Sequence, residues 1–126
     1  MNYEQLSPHF SLGEFVRSET AERLGIDNGL HPEACHHDAL VALNMARLCL
    51  FVLEPLREHF GQPIRINSGY RCPELNAAIK GSARNSLHMQ GRAADIPMKP
   101  GYLAFIRDHL PHTELINEGS WIHVAI

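Results

Sequence analysis

Three polar residues stand where the pattern around them gives them chemical meaning. His88 lies in a polar loop, Ser-Leu-His-Met-Gln-Gly at 86–91. Asp95 falls inside a predicted strand over 92–98, in which Ala94, Ile96 and Met98 point one way and Ala93 and Asp95 the other. His123 falls inside a predicted last strand over 120–126. Alternation there sends Ile122, Val124 and Ile126 to the core and Trp121, His123 and Ala125 to the opposite face. An acid in mid-strand is disfavoured by propensity and costly to bury without a partner; a cation removes that cost. Two imidazoles and one carboxylate are the three-ligand set of a catalytic zinc site, with a fourth position left for water. Gly91 lets the chain reverse between His88 and Asp95, so both can converge from opposite ends of a short segment. Taken alone, each residue has a plainer reading: a strand histidine is commonly a hydrogen-bonded packing residue, and Asp95 could pair with Arg71 or Arg92.

The elements that must position these residues can be read from period and punctuation. Residues 7–17 read as a loop entering a short helix, with Ser11 as N-cap and Glu14 completing a capping box. Residues 20–24 form another turn that Gly25 ends. The strongest helix signal runs over 37–60, where Val41, Met45, Leu48, Val52 and Leu56 make one apolar stripe. Pro55 predicts a kink or break in it, and Gly61 stops it. Residues 63–70 read as a strand, with Ile64 and Ile66 alternating with Arg65 and Asn67. Pro73 opens a short helix to Ile79, and 81–90 is a loop. A helix over 101–110 presents Leu103, Ile106 and Leu110 on one face, and strands over 113–118 and 120–126 meet near Gly119. Helices come mainly first and strands mainly last. That order predicts an α+β fold: a small antiparallel sheet of about four strands, helices packed mainly on one face, and the zinc site on the open face.

Composition narrows the classes. A chain of 126 residues, 44% hydrophobic and 20% charged, is the size and character of one globular domain over 1–126. A net charge of −3 provides no basic field for nucleic acid or an anionic membrane. There is no run of ~18 apolar residues to span a bilayer, and the polar start Met1-Asn2-Tyr3-Glu4-Gln5 lacks the pattern of a signal peptide. Cys35, Cys49 and Cys72 contain no C-x-x-C pair, so neither a thiolate zinc site nor a disulfide framework is indicated. Nine histidines suggest metal, but seven have surface, loop or capping explanations. Cys35, His36, His37 and Asp38 are contiguous, and adjacent helical residues point in different directions.

Ser-Leu-His-Met-Gln-Gly-Arg-Ala-Ala-Asp-Ile at 86–96 resembles the S-x-H-x-x-G-x-A-x-D motif of the zinc D-Ala-D-Ala carboxypeptidase family, which cleaves peptidoglycan stem peptides. Trp-Ile-His at 121–123 resembles the family's closing aromatic-x-His motif, and Ser-Gly-Tyr-Arg-Cys-Pro at 68–73 resembles its Gly-Tyr-Arg segment. Ser-Pro-His-Phe-Ser-Leu-Gly-Glu-Phe and Val-Leu-Glu-Pro-Leu-Arg resemble the compact phage and prophage subgroup, so the resemblance spans nearly the whole chain.

The resemblance implies that His88, Asp95 and His123 bind Zn²⁺, that Arg71 stands by the scissile carbonyl and stabilises the developing oxyanion, and that Arg71 and Ser86 contact substrate. Zinc would lower the pKa of its water, the nucleophile, and polarise the carbonyl. A carboxylate would take the water's proton and later protonate the leaving amine. Many family members place that acid three residues before the last histidine; here the position is Ser120. Glu-Leu-Ile-Asn-Glu at 114–118 resembles a Gln-Leu-Ile-x-Glu segment of the compact subgroup, which implies Glu118 as the base from a different position; its plainer reading is a solvated turn residue. The expected protein is a monomeric zinc metallopeptidase, a D,D-carboxypeptidase or endopeptidase, whose partner is a peptidoglycan peptide and neither nucleic acid nor membrane. A phage-type lysis protein of this kind is made in the cytoplasm and acts at the cell wall. Ser120 favours the alternative, a catalytically inert zinc-binding module for wall recognition or phage structure. A metal-free packing domain is the third reading.

Overall fold

The computed structural model describes residues 4–126; the start of the polar stretch, residues 1–3, lies outside them. Local signals set the first helices. The Ser11 hydroxyl accepts from the Glu14 N–H, and the Glu14 carboxylate accepts from the Ser11 N–H, so the predicted capping box opens α1 (Leu12–Val16). Before it, in a stretch the sequence reads as loop, β1 (Gln5–Ser7) and β2 (Phe10–Ser11) pair as a small antiparallel ribbon. Ser18 caps α2 (Glu19–Leu24), which Gly25 ends in the left-handed conformation.

The long predicted helix is present but does not break at Pro55. It runs as α3 (His36–Leu48), a π-helical turn (Cys49–Leu53) and α4 (Glu54–Phe60), and Gly61 stops it at φ 66°. The irregularity falls just before the proline, where the Glu54 N–H reaches the Cys49 carbonyl five residues back. A proline deprives one upstream carbonyl of its donor, and a π-turn absorbs a local mismatch of this kind without ending the helix. The run His36–Phe60 is long and apolar enough by composition to cross a membrane. Its inner stripe of Val41, Met45, Leu48, Val52 and Leu56 is instead buried in the core, the arrangement of a central helix in a globular domain.

After α5 (Pro73–Ala78) come β3 (Ala93–Pro97), α6 (Tyr102–His109), β4 (Glu114–Asn117) and β5 (Trp121–Ala125). The three strands form an antiparallel sheet in the order β3-β5-β4. Ala94, Ile96, Ile122 and Val124 join the core, on the face of β3 and β5 predicted for them, although Ile126 is only half-buried and Ala93 and Ala125 on the other face are buried too. The fold is α+β, as expected from the order of elements.

The predicted strand over 63–70 is not one. Ile64 and Ile66 are buried and Arg65 and Asn67 exposed, as alternation requires, but the segment makes no ladder. It touches the sheet through an isolated bridge, Ser68 to Asp95: the Asp95 N–H donates to the Ser68 carbonyl, and the Asp95 carbonyl accepts from Asn67. Pro63 has no N–H to offer a ladder. The expected fourth strand is thereby reduced to one bridge at Ser68, whose partner Asp95 is a candidate ligand.

Candidate metal centre

Three elements bring the predicted ligands together. His88 sits on a 3₁₀ turn (Leu87–Gln90) whose first N–H groups need acceptors; the Ser86 hydroxyl accepts from the His88 N–H at 3.2 Å. Gly91 closes that turn at φ 71°, where a Cβ would meet the Val41 carbonyl at 2.5 Å. Bare backbone here lets the turn sit directly on α3. The chain then enters β3, and Asp95 lies directly opposite His123 of β5 in the antiparallel register. Ser86, read from the sequence as a substrate contact, does line the cleft, but its buried hydroxyl caps the His88 turn.

The inner ring nitrogens of both histidines meet one carboxylate oxygen. His88 Nε2 lies 3.2 Å and His123 Nδ1 3.1 Å from Asp95 Oδ1. Among the described residues these three form a group able to share an ion, with ligand atoms within 4.8 Å of one another, whereas the Cys35–Asp38 run does not. His88 is 2% exposed and Asp95 8% exposed, so neither charge nor lone pair is left to bulk water.

The outer ring nitrogens decide what the inner ones present. His88 Nδ1–H donates to the Gly69 carbonyl at 2.6 Å, since a carbonyl can only accept. His123 Nε2 lies 2.8 Å from Glu114 Oε1; a carboxylate there likewise takes the N–H. With both outer nitrogens protonated, neutral rings turn two lone pairs toward Asp95 Oδ1, and three acceptors face one another. That arrangement is unfavourable unless positive charge lies between them, supplied by protons or by a metal ion. The donor set, two imidazoles and one carboxylate, fits zinc with an open position.

Arg71 completes the cluster. Its Nε donates to Ser68 Oγ at 3.2 Å, and its terminal nitrogens donate to Asn76 Oδ1 and Asp95 Oδ2, each at 3.4 Å. The backbone on either side is latched by buried Asn28, which donates to the Tyr70 carbonyl and accepts from the Cys72 N–H. Burial pulls the Arg71 pKa down, with the Asp95 charge opposing. For Asp95, burial pushes the carboxyl up, but hydrogen bonds and charge from His123 and His88 outweigh it and hold it far below the ordinary range. The His123 pKa is raised, first by its bond to Asp95 against burial, then by Glu114.

The cluster opens on a cleft of about 340 Å³, the size range of small-ligand pockets. Trp121, Ile116, Glu114 and Glu118 form its sheet-side wall, and the loop around Lys80–Ala83 the other. Glu118 stands at the β4–β5 turn, where its backbone N–H donates to the Trp121 carbonyl. Among the described residues its carboxylate accepts no hydrogen bond. Two contacts escaped the sequence reading. The Gly69 carbonyl carries no side-chain signal at all. Glu114 looks in the sequence like any polar residue of an edge strand.

The sequence model of the Peptidase M15 family matches residues 8–125, nearly the whole chain, and the chain belongs to that family. Its peptidases are zinc-dependent, in agreement with the donor set assembled here. No curated protein matches the chain.

Proposed function

We propose, with membership of the Peptidase M15 family as the premise, that the chain is a single zinc peptidase domain that hydrolyses a peptide bond in peptidoglycan stem peptides. The observation that carries this reading is the convergence of His88, Asp95 and His123 lone pairs at the floor of a cleft that also presents Arg71 and Glu118. His88 through Nε2, Asp95 through Oδ1 and His123 through Nδ1 would hold the ion. When bound, zinc supplies Lewis acidity that polarises a carbonyl and acidifies water.

The chain's own residues do the rest. A guanidinium has five N–H donors; three of Arg71's face Ser68, Asn76 and Asp95, which leaves two for a substrate carbonyl oxygen as it gains negative charge. Because those three acceptors fix the planar group, it need not reorganise as the charge develops. Glu118 has free lone pairs on the cleft wall, the state required of a base that takes a proton from water and returns it to the leaving amine. Trp121 offers an apolar face to the peptide. Action at the cell wall after synthesis in the cytoplasm, in the manner of a phage lysis protein, is the setting that suits this substrate.

Zinc-loaded protein incubated with purified peptidoglycan tests the reading. Released D-Ala marks a carboxypeptidase, and new internal amines mark an endopeptidase. Glu118→Ala should lower kcat by about 10²–10⁴-fold, the usual contribution of a positioned base. If zinc binds stoichiometrically and wild type releases neither product, the inert binding module is the better reading. The observation in its favour is Ser120, exposed on the β4–β5 turn at the position where the resemblance would place an acid.

A further inference from the structure

Two glutamates share the sheet-side wall of the cleft, and their surroundings separate their roles. Glu114 and Ile116 lie on the same face of β4, and Ile116 is directly opposite His123 in the β4–β5 register. Glu114 is opposite Ala125, whose methyl group leaves room for the longer side chain to lean diagonally across the strand pair. There its Oε1 meets His123 Nε2 at 2.8 Å. The opposite edge of the same ring, Nδ1, meets Asp95. The Glu114 carboxylate therefore stands behind the imidazole, on the side away from the three converging ligand atoms.

We infer that Glu114 is a positioning residue for His123: it accepts the hydrogen bond of Nε2–H and so fixes the ring with the Nδ1 lone pair pointing at Asp95 and toward a metal ion. This rests on the zinc reading above. His88 is oriented in the same way by the Gly69 carbonyl, so each imidazole has its own acceptor on the outer nitrogen. The two acceptors differ in one respect. The Gly69 carbonyl is backbone and cannot be removed by substitution, whereas Glu114 is a half-exposed side chain, at 44% of its side-chain surface, with no part in the core. The His123 arm of the site is consequently the one whose metal affinity a single surface side chain sets.

The test is zinc affinity, measured by competition with a chromophoric chelator on the full chain, beside the melting temperature of each metal-free protein. Glu114→Ala should weaken zinc binding by about 10–100-fold, while Glu114→Gln, whose amide oxygen accepts from the same N–H, should stay within about threefold of wild type. The metal-free Glu114→Ala protein should melt with wild type, because the side chain buries little. The inference is overturned if Glu114→Ala binds zinc as tightly as wild type, or if its loss of affinity is matched by loss of metal-free stability, which marks a merely structural role. Should Glu114→Ala fail to fold, affinity in Glu114→Gln decides in its place: a loss as large as 10–100-fold would show that the amide cannot replace the carboxylate and would overturn the orienting role as stated. Wild type that folds but binds no zinc removes the reading beneath it, a result distinct from equal binding by both proteins.

Discussion

The closest backbone approach near the site provides the sharpest prediction, at Gly91. This residue closes the His88 turn at φ 71°, and a Cβ on it would stand 2.5 Å from the Val41 carbonyl, 2.9 Å from Val41 Cγ1 and 3.0 Å from Met45 Cγ. Val41 and Met45 belong to the buried stripe of α3, so the atoms in the way are the backbone and inner side chains of the central helix. Gly91→Ala therefore incurs two costs. A non-glycine residue in the left-handed region costs about 1–2 kcal/mol, and forcing extra volume into packed core costs about 1–3 kcal/mol. Together they predict a loss of about 2–5 kcal/mol, a large part of the 5–15 kcal/mol that holds a typical domain. Gly61→Ala is the control: Gly61 has the same backbone sign at φ 66°, and a Cβ there meets nothing within 4 Å. It should lose only the backbone cost, about 1–2 kcal/mol. Urea unfolding of wild type and both variants, with equal m-values, measures the difference. If Gly91→Ala is no less stable than Gly61→Ala to within about 0.5 kcal/mol, the turn is not seated on α3 as described and the reasoning fails.

Three further outcomes are expected. Glu54 accepts from the Ser7 hydroxyl at 2.6 Å and the His9 N–H at 2.7 Å, pinning the ribbon to α4; burial pushes its pKa up, but these bonds prevail and hold it below the ordinary value. Glu54→Gln should cost about 1–3 kcal/mol near neutral pH, and since the folded-state pKa is the lower one, that gap should shrink as pH falls below about 4.3 and through the folded value; a gap that stays constant in urea titrations down to pH 3 contradicts the assignment. Burial pushes the Cys49 thiol up to about 12, and Cys35 is exposed. Iodoacetamide at mildly alkaline pH should label Cys35 and spare Cys49 in the native protein, as peptide mass mapping will show. Zinc at 100 times its Kd should stabilise the fold by about 2.7 kcal/mol, reversed by chelator; an unchanged melting temperature on metal removal argues against a site in the folded state.

The candidate ligands were legible because strands have a period of two. Asp95 and His123 betray themselves as polar residues that alternation turns away from the apolar face of their strands, and His88 as a histidine in a polar loop that Gly91 lets turn back into β3. Helix ends at Ser11, Gly25 and Gly61 were legible for the same kind of reason: a cap is a local event within one turn of chain. What stayed hidden depends on register between segments far apart in sequence. Glu114 reaches His123 only because Ile116, and not Leu115, lies across from it in β4–β5. The segment 63–70 has strand-like alternation, yet the hydrogen-bond partners that would make it a strand are confined to the Asp95 backbone. At Pro55 the sequence announces a defect in the helix but not its form, because a kink and a π-turn both accommodate a missing donor.

One consequence of the Asp95–His123 pairing concerns errors in assembly. A slip of β5 by one residue against β3 would turn His123 toward the core and bring Ile122 or Val124 into the cleft. An ion held jointly by Asp95 and His123 thus recognises a single alignment of the two strands, and its binding energy accrues only to molecules that have it. By mass action, metal draws misaligned chains toward the aligned form. The proposed metal centre would then also proofread the sheet that carries it.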